Sequence, residues 1–214
     1  MSTLIFLIIL FLTFPVFIIP KAFKYYYALA VLICGIALTS FWGFDVLTGS
    51  NQELKAESLL PVIRQNFVLT IDRLSAFFIF VINITVFVGL LYARGYLRPY
   101  YQTKNSLRFS IHYFSYLWLY LSMILVVLIR NGLPFLVVWE IMALSSFMLV
   151  IFDAEDVKIM KTGISYLVQM HVGMFFLLIA FLIAGKATGE VSFDALRFYF
   201  SNHSNLFLFI LFFI

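Results

Sequence analysis

Charge is what this chain has least of: its Lys, Arg, Asp and Glu make up 11% of 214 residues, against about a quarter in an ordinary soluble domain. Cysteine is nearly absent. Cys34 stands alone inside an apolar stretch, which excludes an intrachain disulfide and any metal site built from cysteines. A glycine-rich phosphate loop, a nucleophile elbow and a two-histidine metal spacing are all missing, and His112, His171 and His203 lie on separate segments. No catalytic residue, resident cofactor or metal is therefore expected. The net charge of +4 comes from basic residues scattered over short connections, so no contiguous nucleic-acid-binding patch forms.

What fills the chain instead is hydrocarbon. Hydrophobic residues reach 64% and aromatic residues 20%, with 27 Phe and 12 Tyr, and the mean hydropathy is +1.07. That composition predicts an all-α, polytopic transmembrane helix bundle, with aromatic side chains facing lipid and the interfaces. Apolar runs place six complete spans at Leu4–Ile19, Tyr25–Leu47, Ile71–Tyr92, Ile111–Ile129, Leu133–Phe152 and Ile159–Ala184. Leu206–Ile214 begins a seventh and stops too soon to cross, so the chain reads as an N-terminal piece of a longer protein. No basic stretch precedes the first span, which argues for a retained helix rather than a signal peptide. Pro15 is expected to kink it. Residues 1–64 then hold the first two spans and an outer loop, and residues 65–214 the start of a core. In the connection 185–205, Phe193, Leu196, Arg197, Phe198 and Phe200 suggest a short interfacial helix.

Lys and Arg set the orientation. The connections after spans one, three and five carry Lys21, Lys24, Arg94, Arg98, Lys104, Arg108, Lys158 and Lys161, eight in all. The other side, span edges included, has six: Lys55, Arg64, Arg73, Arg130, Lys186 and Arg197. The stretch Arg94–Ser110 contains no acid. The bias predicts an N-terminus outside and the odd connections in the cytoplasm.

The residue that organises this reading is Glu140. It lies seven residues from one end of Leu133–Phe152 and twelve from the other, too deep for its short side chain to reach water. A charged group at that depth costs about 2.5–3.5 kcal/mol on insertion scales, so it should face the bundle interior and have a partner. A carboxyl so placed is a candidate for taking up and releasing a proton near neutral pH. His171, roughly mid-span on the following helix, is the natural companion, because imidazole ordinarily titrates at ~6.5. Thr162, Ser165 and Gln169 share the opposite face of that helix, which argues for burial on both sides. Glu140 and His171 are thus the proton-transfer candidates, with Asp72 and Lys161 as possible entrance charges. Asn83, Ser40, Ser145 and Ser146 are expected to bond across helices in packing roles.

Three stretches carry a resemblance. Val138-Trp-Glu140-Ile-Met-Ala-Leu-Ser-Ser146, Asp72-Arg-Leu-Ser-Ala-Phe-Phe78 and Ile164-Ser-Tyr-Leu-Val-Gln-Met-His171-Val-Gly173 resemble the antiporter-like membrane subunits of complex I and of energy-converting, formate hydrogenlyase-type hydrogenases. The resemblance covers the chain from about residue 65 onward; Arg73 departs from the small or Pro-like residue expected after Asp72. It implies a bundle of about 14 helices containing two inverted five-helix repeats. It also implies that Glu140 pairs with a lysine on a broken seventh helix, which would lie beyond Ile214. Protons, with sodium as the other candidate ion, would cross along a chain of ionisable residues within a redox-driven NADH dehydrogenase- or hydrogenase-type complex. The partners expected are the lipid bilayer of the plasma (inner) membrane and the other membrane subunits of that complex. Two alternatives stay open here: a multisubunit sodium/proton antiporter without redox coupling, and a purely structural membrane subunit.

Overall fold

Proline is scarce and marks the places where helices start or break. The computed structural model describes residues 8–49, 53–56, 67–153 and 157–202. Its elements in order are α1 (Ile8–Phe17), α2 (Lys24–Leu47), β1 (Glu53–Ala56), β2 (Phe67–Thr70), α3 (Arg73–Leu97), α4 (Ser106–Leu128), α5 (Gly132–Val150), α6 (Val157–Thr188) and α7 (Phe193–Asn202). Helices α2 to α6 are each long and apolar enough to cross a membrane. Pro134 falls in the first turn of α5, where its missing N–H has no intrahelical acceptor to lose.

The expected first span is met in part. Its described portion, α1, is a short apolar helix that tightens into a 3-10 turn at Phe14–Phe17, beside Pro15. There the Thr13 hydroxyl donates to the Leu10 carbonyl at 2.7 Å. Residues 4–7 and the expected seventh span, Leu206–Ile214, lie outside the described residues. Five crossing helices are thus described where six complete spans were expected. Two connections also differ from expectation. The stretch 94–110 is mostly helical: α3 runs on to Leu97 and α4 begins at Ser106, because Arg94 and Arg108 can reach the interface from the last and first turns of a helix. Within 49–70 a two-stranded antiparallel ladder pairs Glu53 with Thr70 and Ala56 with Phe67.

Helical spacing writes the core. Ala76, Ile79, Asn83, Val86 and Leu90 form the buried stripe of α3, and Phe109, Tyr113, Leu117, Tyr120, Ile124 and Leu128 that of α4. The bundle's large outward-facing hydrophobic side chains are mostly Phe, Leu, Ile and Val (Phe41, Phe44, Ile84, Val137, Val168 among them), as lipid rather than water requires.

The two ends of the bundle are built differently. At one end Lys21 donates to the carbonyls of Tyr101 (2.5 Å) and Lys104 (2.7 Å), while Lys104 and Tyr100 hold Asp153 at 2.9 and 3.0 Å. Lys24, 1% exposed, donates to the Val16 carbonyl at 2.9 Å and to the Ser110 hydroxyl. At the other end Leu69 bridges to Ile129 and Asn131 to Ser192, and the Phe193 amide donates to the Arg130 carbonyl at 3.1 Å. Odd and even connections therefore lie on opposite sides. The short helix expected around Phe193–Phe200 is α7, opened by the Ser192 hydroxyl accepting from the Ala195 amide at 3.1 Å.

Candidate functional site

Glu140 stands eight residues into α5, about 12 Å from its start at 1.5 Å per residue. Helices α5 and α6 pack antiparallel, α5 running into a 3-10 turn at Ile151–Asp153, and the short connection between them sets which residues meet. Gly163 of α6 faces Ile151 so closely that a Cβ there would lie 2.6 Å from the Ile151 methyl, so the two helices approach tightly near the turn. Farther along, the register brings Ser146 to Tyr166, hydroxyl to hydroxyl at 2.7 Å, and Glu140 to His171.

The carboxylate and the imidazole meet at 2.6 Å between Oε1 and Nε2. His171 Nδ1 lies 2.8 Å from the carbonyl oxygen of Leu167, one turn earlier on its own helix. A carbonyl can only accept, so that contact puts a proton on Nδ1 and leaves Nε2 facing Glu140. Nε2 then either accepts from a protonated carboxyl or, as part of an imidazolium, donates to a carboxylate. The difference between the two states is one proton moved across 2.6 Å. Glu140 Oε2 is buried and has no hydrogen-bond partner among the described residues, and the neighbouring Trp139 Nε1 is in the same position. The pair is not sealed. The Glu140 side chain is 27% exposed and that of His171 42%. His171 borders an apolar cavity of 460 Å³ lined by Leu167, Val168, Val172, Phe175 and Phe176.

Of the four residues singled out in the sequence, two come together and two stand apart. Asp72 caps α3, its Oδ1 accepting from the Ser75 amide at 2.6 Å, and its Oδ2 pairs with Arg130 at 2.5 Å. Burial alone would raise the Asp72 carboxyl, but the Ser75 amide and hydroxyl and the Arg130 guanidinium outweigh it and hold the group below the ordinary carboxylate range. Its neighbour Arg73 is not the partner. Lys161 is exposed, has no partner among the described residues, and sits ten residues before His171, about 15 Å along α6. The opposite face of α6 also differs from expectation: Thr162, Ser165 and Gln169 are exposed, and His171 on the other side is only partly covered.

Two partners were not read from the sequence. The Ser146–Tyr166 rung follows from the same antiparallel register as Glu140–His171, so a register count from the short connection between the two helices would have found it. Arg130, which holds Asp72, left no comparable signal, since 58 residues separate the two.

The family described as NADH:quinone oxidoreductase/Mrp antiporter, transmembrane, matches residues 130–214, which include both Glu140 and His171. Hydrogenase-4 component B of Escherichia coli (strain K12) is 33% identical over 129 residues, 60% of this chain and 18% of that protein. The matched part thus spans under a fifth of the length of this curated relative. A chain of the membrane-bound sulfane sulfur reductase (MBS), described as an archaeal respiratory membrane complex, superposes with a TM-score of 0.74. That match covers 91% of this chain and 39% of the other at 20% identity, and shows the fold alone. Residues 130–214 thus carry the match to the NADH:quinone oxidoreductase/Mrp antiporter transmembrane family, within an antiporter-like, multi-pass helical fold.

Proposed function

We propose that this subunit translocates protons across the membrane, and that Glu140 and His171 are the pair through which the proton passes. One observation carries the reading: a carboxylate and an imidazole 2.6 Å apart at mid-helix, with the second carboxylate oxygen buried and without a partner among the described residues. A group that only packed helices together would use both oxygens, since an unsatisfied buried acceptor costs about 1–3 kcal/mol. Glu140 instead keeps one oxygen bonded to His171 and one open. A proton arriving at Oε2 leaves Oε1 free to pass one to Nε2, and the imidazolium so formed is stabilised by the Leu167 carbonyl at Nδ1. The lysine partner implied by the resemblance would serve the open oxygen, and its charge would decide on which side of the pair the proton rests.

The pump works, in this reading, as one membrane subunit of a redox-driven complex, and the redox cofactors belong to other subunits. The relatives support that setting: one is a hydrogenase component and the other a chain of a respiratory membrane complex. The N-terminus is proposed to lie outside, with the end bearing Lys21, Lys24, Arg94 and Arg98 in the cytoplasm.

The test is Glu140→Gln in the full-length protein within its assembled complex, which keeps shape and hydrogen bonding but removes the exchangeable proton. Proton pumping, measured as acidification coupled to electron transfer, is expected to fall by about tenfold or more with assembly intact. Unchanged pumping in the assembled complex would overturn the role of Glu140.

A further inference from the structure

At the Lys21 end of the bundle a groove of 700 Å³ opens between the start of α2 and the last turns of α3. Tyr25, Gly95, Leu91 and Ala22 are among its lining residues. Arg94, Arg98, Tyr26 and Tyr101 stand around its mouth. Three features together define what it would take.

The first is charge. Arg94 and Arg98 are four residues apart and so lie on one face of the chain as α3 runs out. Among the described residues, no acidic side chain lines the groove. The carboxylate described at this end, Asp153, is already held by Lys104 and Tyr100. Arg94 is positioned by its neighbours: its guanidinium carbon lies 5.5 and 5.6 Å from the ring centres of Tyr25 and Tyr26, and Nη2 donates to the Tyr26 hydroxyl at 3.2 Å. A guanidinium has five N–H donors, so most of its capacity is left for a ligand. Arg98 is exposed and has no partner among the described residues.

The second is depth. Both arginines sit where α3 leaves the apolar part of the bundle, and Tyr92, Tyr96 and Tyr100 form a row of ring contacts along the same stretch, as interfacial aromatics do. The third is polarity. One turn deeper the lining is hydrocarbon, with Leu91 46% exposed toward the groove and the lipid. The volume is in the range of pockets for whole small ligands, far more than a single inorganic anion fills. Two guanidiniums at the mouth would repel a choline or ethanolamine cation.

We propose that this groove binds an anionic phospholipid, its phosphodiester held by Arg94 and Arg98 and the upper part of an acyl chain lying along Leu91. Bound there, the lipid would join α2 to the α3–α4 connection.

The experiment uses the full-length protein in nanodiscs of phosphatidylcholine containing a minor fraction of phosphatidylglycerol with matched chains. Native mass spectrometry then counts the lipids retained after partial delipidation. Phosphatidylglycerol should be retained in preference to phosphatidylcholine and should not be displaced by millimolar inorganic phosphate. Retention should fall about tenfold or more in the Arg94→Gln, Arg98→Gln double variant. Gly95→Leu is the second variant: a Cβ at Gly95 meets no atom within 4 Å, so its side chain fills the groove without disturbing the bundle. It should lower retention likewise. Equal retention of both lipids, retention unchanged by either variant, or displacement by free phosphate would each overturn the proposal.

Discussion

Two polar clusters sit in the middle of this apolar bundle, and they are built on opposite plans. Among α2, α3 and α4, Asn83 donates to the hydroxyls of Thr39 at 3.0 Å and Ser40 at 2.9 Å, and its oxygen accepts from Tyr120 at 3.2 Å. Thr39 passes its own proton to the Gly35 carbonyl at 2.9 Å. Asn83, Thr39 and Tyr120 are all nearly inaccessible, and every group is uncharged. Between α5 and α6, Glu140 and His171 are ionisable and partly open, and one carboxylate oxygen has no partner among the described residues. The first cluster closes its hydrogen bonds on itself and can only hold helices together. The second leaves an acceptor open, which is what a group that must receive and release a proton requires. Satisfaction, not polarity, separates the staple from the proposed relay.

The comparison breaks first at His171. Replacing it with Gln keeps a hydrogen bond to Glu140 but no group that can carry a proton near neutral pH. His171→Gln should lower pumping by about tenfold or more while the complex assembles normally. The matching change in the other cluster should do the reverse. Asn83→Ala strands Thr39, Ser40 and Tyr120, and should cost about 1–2 kcal/mol of stability, with pumping per assembled complex unchanged. Thermal unfolding in detergent reads the first effect and reconstituted pumping the second. If Asn83→Ala abolished pumping in a folded complex, the division into staple and relay would fail.

A smaller effect is expected at Gly35. A Cβ there would lie 2.8 Å from Tyr120 Cε1 and 3.3 Å from its hydroxyl, so Gly35→Ala must push the ring away from Asn83. Overpacking of this kind costs about 1–3 kcal/mol, and alanine returns roughly 1 kcal/mol in helix propensity. A net loss of about 1 kcal/mol is expected, read again by unfolding. A gain in stability would mean that Tyr120 is not fixed by the cluster.

How much of this was legible in the sequence follows the range of the forces. The helices α2 to α6 were, because an apolar run of about 20 residues has little alternative in lipid. Glu140 and His171 were, because an ionisable group at mid-span is conspicuous against hydrocarbon. Asn83 and Ser40 were legible as packing residues, though Tyr120 as their partner was not. Their meeting depends on how three helices pack, which no local pattern fixes. The β1–β2 ladder was hidden in a polar connection whose strands are only four residues long. Lys24 left no sign either: it caps the Val16 carbonyl and Ser110, groups 8 and 86 residues away, rather than an acid that could have been sought.

The smallest effect belongs to Asp72, which follows the rule of satisfaction at the rim. Its carboxylate is bonded by the Ser75 amide and Arg130, yet 43% of the side chain is exposed, and Arg130 is 38% exposed. Solvent screening therefore limits the pair to below about 1 kcal/mol. The sign is fixed by the lowered pKa. An acid held below its unfolded value of ~3.9 stabilises the fold above that pH, and the contribution vanishes as pH falls through the folded value. Asp72→Asn should thus reduce stability at neutral pH by up to about 1 kcal/mol and converge with the parent protein below the folded value. Unfolding midpoints of the two proteins across that range check it. A gap that persists to the lowest pH would assign the loss to the cap geometry and not to the charge.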